Sequence, residues 1–110
     1  MEGKVQKESA RIKTAFSLAL SEMRYGHGCQ ESNPVFAELQ EAGRELRAGT
    51  EKHFHFEWNI RDVDECHIYI TNKLNGHRYH VSVVSPAALY VDAYRIQDDG
   101  TEHDAFAENG

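Results

Sequence analysis

The run from His53 to Arg61 constrains this chain more than any other stretch. Phe54, Phe56, Trp58 and Ile60 alternate there with His53, His55, Glu57, Asn59 and Arg61. Successive side chains of a strand point to opposite faces, so this segment has one apolar, aromatic face and one polar face. Alternation of that kind belongs to an antiparallel sheet with one side on a core and the other toward water. Cys66–Thr71 and Tyr79–Val84 repeat the pattern, with a break at Asp62-Val63-Asp64 and a turn at Asn75-Gly76.

Asn-Gly is the strongest two-residue hairpin signal, because both central residues of a type I′ turn need positive φ. With Asn75 and Gly76 as those residues, Thr71 lies opposite His80, Ile70 opposite Val81, Tyr69 opposite Ser82 and Ile68 opposite Val83. Ile68, Ile70, Val81 and Val83 then share the apolar face, and Tyr69, Thr71, His80 and Ser82 the polar one. A slip of one residue would destroy that agreement. Setting Ile60 opposite Cys66 aligns the first pair of strands in the same way.

A sheet with an aromatic face needs a cover. Upstream, residues 4–24 carry Val5, Ile12, Phe16, Ala19 and Met23 at helical spacing, flanked by Ala15 and Leu20. Lys4, Lys7, Arg11 and Lys13 mark the opposite side. A basic amphipathic helix can serve a membrane surface, but Glu2, Glu8 and Glu22 dilute that signal. Tyr25 to Asn33, with two glycines around His27 and then Cys29, reads as an exposed loop. A second helix follows: Asn33 suits its cap, Pro34 its first position and Gly49 the residue past its end. Val35, Leu39, Ala42 and Leu46, with Phe36, form its buried stripe, and Glu38, Glu41, Arg44, Glu45 and Arg47 its wet side.

After Ser85-Pro86, Leu89–Ile96 reads as a fourth strand with Leu89 and Val91 inward and Tyr90, Asp92 and Tyr94 outward. Asp99-Gly100 is a second turn signal, with a short return over Glu102–Phe106. The predicted fold is α+β in two layers. Two N-terminal helices pack on one face of a four-stranded antiparallel meander, in the order α-α-β-β-β-β. Residues 1–110 form one domain, frayed at 1–3 and 107–110.

Five acids between Asp98 and Gly110 account for most of the formal charge of −6, and the rest of the chain carries −1. Such a chain lacks the basic footprint of a nucleic-acid binder. Two cysteines make no disulfide framework, and they read as reduced thiols of a cytoplasmic protein. No run has the apolar length of a membrane span or the layout of a secretory signal.

The polar sheet face is the candidate functional surface. It gathers His53, His55, Glu57, His67, Tyr69, Thr71, His80 and Ser82, joined by Tyr90, Asp92 and Tyr94. The expected register separates His55 from His80 by about 9–10 Å, two strand spacings, with Thr71 between them. Metal–nitrogen bonds are about 2 Å, so no metal site is expected there, nor any cofactor. His67 reaches toward Glu57 or Asn59. No P-loop, dinucleotide fingerprint, nucleophile elbow or zinc-protease helix occurs. A small hydrolase, for instance an RNase, would use His80 or His55 with Lys73 and Arg78 at the hairpin tip, on a sheet too flat to exclude water. The reading that fits better is a non-enzymatic protein-interaction module: a small regulator, inhibitor or immunity-type protein. Its anchors toward a partner protein are His55, Tyr69, His80, Tyr90 and Tyr94, since aromatic side chains supply most of the area at binding hot spots. An edge strand could pair with a partner or a second copy, and the polar face could be buried in a homodimer.

Overall fold

The computed structural model describes residues 2–61, 65–84, 89–96 and 102–104, with side chains for 8–61, 65–84 and 89–96. Helix α1 (Glu2–Ser21) buries Ile12, Ala15, Phe16 and Ala19 on one stripe, as its spacing requires. It then widens into a π turn, Glu22–Gly26, that buries Met23. The wider turn lets the His27 amide reach the Glu22 carbonyl (3.1 Å) and the Cys29 amide reach that of Met23 (2.9 Å). Cys29 is thereby drawn into the core, so the expected exposed loop is in part a plug.

Helix α2 (Pro34–Ala48) has the ends its sequence prescribes. Asn33 Oδ1 accepts from the amides of Val35 (3.0 Å) and Phe36 (3.2 Å), two of the donors that a helix start leaves unpaired. At the other end Gly49 takes the left-handed conformation (φ 75°), and the Gly49 and Thr50 amides close on Leu46 and Glu45 carbonyls. The helices touch closely at Gly43, where an added Cβ would meet Leu20 Cδ1 at 2.8 Å and Phe16 Cε1 at 3.3 Å.

The sheet is an antiparallel meander in the order β1-β2-β3-β4-β5. Its strands are β1 (Phe54–Arg61), β2 (Glu65–Asn72), β3 (Arg78–Val84), β4 (Tyr90–Ile96) and β5 (Glu102–Asp104). The fold is the predicted α+β, with the fourth strand followed by a short fifth. Phe54, Phe56, Cys66, Ile68, Ile70, Tyr79, Val81, Val83, Val91 and Ala93 form the inner face, buried against the helices. Ile60 lies opposite Cys66 as expected. Leu89 departs from expectation: it precedes β4 and is 45% exposed. The Ser85-Pro86 strand end, the Asp99-Gly100 turn and Phe106 lie outside the described residues.

The β2–β3 register also differs from expectation, by two residues. Ile68 faces Val81, Tyr69 faces His80, Ile70 faces Tyr79 and Thr71 faces Arg78. Asn75-Gly76 is not a two-residue turn. The Asn72 amide donates to His77 O and the Gly76 amide to Asn72 O (both 2.8 Å), which encloses a loop of Lys73 to Gly76. Gly76 has positive φ (76°) at the loop's end. Asn72 Oδ1 accepts from the Leu74 amide and Asn75 Oδ1 from the His77 amide (2.9 Å each), so both asparagines brace the turn with their own side chains. An even slip keeps every side chain on its predicted face and changes only who stands opposite whom.

We expect Gly43→Val to lower the stability of the fold by about 1–3 kcal/mol, the usual cost of overpacking a tight contact. Asn33→Ala should cost about 1 kcal/mol through loss of the cap. Urea denaturation midpoints at neutral pH measure both; an unchanged midpoint for Gly43→Val would show that α1 and α2 do not approach as described.

Candidate functional site

The outer face is arranged in rows across the strands. His55, Thr71, Arg78 and Ile96 form one; Glu57, Tyr69, His80 and Tyr94 the next; Asn59, His67, Ser82 and Asp92 a third. The register thus places His80 between Tyr69 and Tyr94 and removes it from the row of His55, correcting the expected His55–Thr71–His80 alignment. His80 stacks on Tyr69 (ring centres 4.7 Å apart, 21° between planes) and meets Tyr94 edge-on (5.2 Å, 70°). Of the five expected anchors, Tyr69 and Tyr94 each contact His80, which stands between them. Tyr90 lies at the end of β4 opposite Val84, 61% exposed. His55 stands apart, held by Glu51 (3.1 Å) and Glu57 (3.2 Å).

A hydrogen-bonded chain crosses the row. Glu65 Oε2 is 2.5 Å from His67 Nε2, His67 Nδ1 is 3.1 Å from His80 Nε2, and His80 Nδ1 is 2.8 Å from the Tyr94 hydroxyl. The two imidazoles are nearly parallel (4°) with centres 5.3 Å apart. That separation is the nitrogen-to-nitrogen distance plus two ring radii, so the rings lie edge to edge in one plane. Ser82 Oγ flanks the contact at 3.2 Å from His67 and 3.3 Å from His80. With both rings neutral, one set of tautomers satisfies every link: Tyr94 donates to His80, His80 Nε2–H to His67, and His67 Nε2–H to the Glu65 carboxylate. One proton added to His67 reverses the His67–His80 and His80–Tyr94 links, whereas one added to His80 reverses only the link to Tyr94. A second would set two N–H groups against each other at the His67–His80 contact.

His67 was expected to reach Glu57 or Asn59; its partner is Glu65, two residues away on the same strand face. That i, i+2 spacing was present in the sequence, where Glu65 directly follows the acidic break at Asp62-Val63-Asp64. His53 is not part of the outer surface: its ring bonds Glu45 of α2 (2.6 Å), and its amide and that of Phe54 donate to the same carboxylate. Lys73 Nζ donates to the Glu51 carbonyl (2.5 Å), and His77 Nδ1 lies 3.3 Å from Glu38. Glu38 and Glu45 therefore anchor the sheet rather than forming a wet helix face. Burial alone would raise the Glu38 pKa, but hydrogen bonds from Tyr79, Asn72, His77 and Asn75 outweigh it and hold the carboxyl below its ordinary value. Burial and the neighbouring Glu38 push the Tyr79 phenol up.

Glu65, His67 and Ser82 have the connectivity of a carboxylate–imidazole–hydroxyl triad. Strand β3 lies between β2 and β4, so the amides around Ser82 belong to the ladders and none is aimed at a developing oxyanion. Three shallow hollows of the molecule are lined by helix residues, by the segment that joins α2 to β1 and by strand and hairpin residues such as Phe56, Trp58 and Leu74, away from this row. Among the described residues, no group of three or more His, Cys, Asp and Glu side chains is set to hold a metal ion. No helix among them is long and apolar enough to cross a membrane. Comparison with protein-family models, curated proteins and solved structures finds no match.

Burial lowers the His80 pKa, the charge of His67 lowers it further and Asp92 opposes both. A histidine with a lowered folded-state pKa stabilises the fold fully above its unfolded value near 6.5, and that stability is lost as pH falls from there toward the folded pKa. Glu38 and Glu45 add their own loss only below the carboxylate range near 4.5. Melting temperature between about pH 7.5 and about pH 5.5 should therefore fall less steeply in His80→Phe than in the wild type. Equal slopes would mean that His80 does not titrate in the environment described.

Proposed function

We propose that this domain works by contact, as a non-enzymatic interaction module whose outer sheet face docks on a partner protein. It would act as a small regulator, inhibitor or immunity-type protein. The observation that carries the reading is the Tyr69–His80–Tyr94 row. Its rings are held by stacking and by hydrogen bonds before any partner arrives, so little side-chain freedom remains to be lost on binding. Tyr69 within the row and Tyr90 at the start of β4, 43% and 61% exposed, supply accessible aromatic area on the same face. Tyr and Trp are favoured at such centres because they combine apolar area with a polar tip. His55 belongs to the rim. Two buried cysteines that form no disulfide suit a reducing compartment, and we assign the module to the cytoplasm on that ground.

The competing reading is a small hydrolase, an RNase for example, built on the Glu65–His67–Ser82 connectivity and on His80. The readings separate on Tyr69→Ala combined with Tyr90→Ala, two exposed positions outside the proton chain. Contact predicts that the double variant keeps its melting temperature and loses about 2 kcal/mol or more of affinity for the protein retained by the wild type. Catalysis predicts instead a turnover, on RNA or ester substrates, that is abolished by His67→Ala. Undiminished partner binding by the double tyrosine variant would remove the face from the interaction.

A further inference from the structure

Strand β1 is a free edge of the sheet, and its two halves are treated differently. In the first half, carboxylates stand where a neighbouring strand's carbonyls would be. Glu45 accepts from the amides of His53 (3.0 and 3.1 Å) and Phe54 (3.2 Å), and Glu51 Oε1 accepts from that of Phe56 (3.1 Å). Backbone groups alternate along a strand, so the amides of Trp58 and Ile60 point off the sheet as those of Phe54 and Phe56 do. Among the described residues no acceptor meets these two amides. An uncapped edge is a template for another strand.

The uncapped half reads Glu57-Trp58-Asn59-Ile60-Arg61, and it is its own antiparallel complement. A two-fold axis through Asn59 sets Glu57 against the partner's Arg61 and Trp58 against the partner's Ile60. Glu57 and Arg61 lie on the outer face and are exposed; Trp58 and Ile60 lie on the inner face and are partly buried. The axis then passes between residues whose own backbone groups face β2, and the outward groups of Trp58 and Ile60 exchange four hydrogen bonds. Axes through Trp58 or Ile60 would leave Glu57 or Arg61 opposite asparagine. Pairing would stop where Glu51 caps Phe56.

We infer that the Glu57–Arg61 edge pairs with the same edge of a second copy, antiparallel about Asn59. This joins two five-stranded sheets into one, with both helical layers on the same side and both outer faces continuous. The inference rests on the edge alone and stands or falls apart from the proposed partner of the outer face. Five paired residues make a small interface, so the dimer is weak and concentration-dependent.

Disulfide trapping under native conditions tests it, since Cys29 and Cys66 are buried. Opposed residues of a non-hydrogen-bonded antiparallel pair have Cα atoms about 4.5 Å apart, within disulfide reach. Asn59→Cys should oxidise to a covalent dimer. Glu57→Cys and Arg61→Cys should do so at least ten times more slowly, because each lies about 13 Å from its own copy along the strand. Equal trapping at the three positions, or none at Asn59→Cys, would overturn the register. Adding E57R to Asn59→Cys should suppress trapping, and adding E57R with R61E should restore it. Failure of the double exchange to restore dimer, in a variant with unchanged melting temperature, would also overturn the inference.

Discussion

The hairpin loop between β2 and β3 is the constraint on which the rest of the structure depends. Gly76 closes it in the left-handed conformation, and the Asn72 and Asn75 side chains bond the backbone within it. Both asparagines also reach Glu38 on α2 (2.8 and 3.3 Å), as does His77, so one carboxylate ties the loop to the helix layer. A partly buried carboxylate is costly unless its oxygens are satisfied; here several donors satisfy it and favour its charged form. Slipping the register would unmake these bonds together. The loop therefore decides which outer-face residues become neighbours, although it lies at the end of the sheet.

The outer face inherits that decision. With Tyr69 opposite His80 and His80 opposite Tyr94, the aromatic rings fall into contact. With Ser82 opposite His67, two imidazoles come edge to edge and close a chain from Glu65 to Tyr94. Singly, each residue would be an ordinary occupant of a solvated strand face. Together they form a polar aromatic surface with one hydrogen-bond direction when both imidazoles are neutral. Polar networks of this kind confer order when every member is satisfied. A contact surface benefits from that order directly, because its rings need not be immobilised by the partner.

Much of this was legible in the sequence. Period-two alternation placed every strand side chain on its correct face, from Phe54 to Ile60 and from Val91 to Tyr94. Asn33, Pro34 and Gly49 marked α2 to the residue, because capping chemistry is local. The β2–β3 partners were not legible, since Asn-Gly fits both a two-residue turn and the end of a longer loop. Only the Asn72 bonds and Glu38 choose between them, and Glu38 is thirty-four positions from Asn72 in the chain. The same long-range contacts hid Glu38 and Glu45, which look like solvated charges until the sheet edge and hairpin reach them. Cys29 was misread for a related reason: the π turn that draws it inward has no signal in composition.

The most direct test of the account is nitrogen-15 NMR of the imidazole side chains at neutral pH. The chain from Glu65 to Tyr94 requires both His67 and His80 in the Nε2–H tautomer, with a scalar coupling across the hydrogen bond from His80 Nε2 to His67 Nδ1. Observing both would establish the register and the ordered surface in one measurement. Rapidly averaging tautomers at His80, or a protonated Nδ1 on that ring, would show that Tyr94 and His67 do not hold it and that the surface is not preorganised as described.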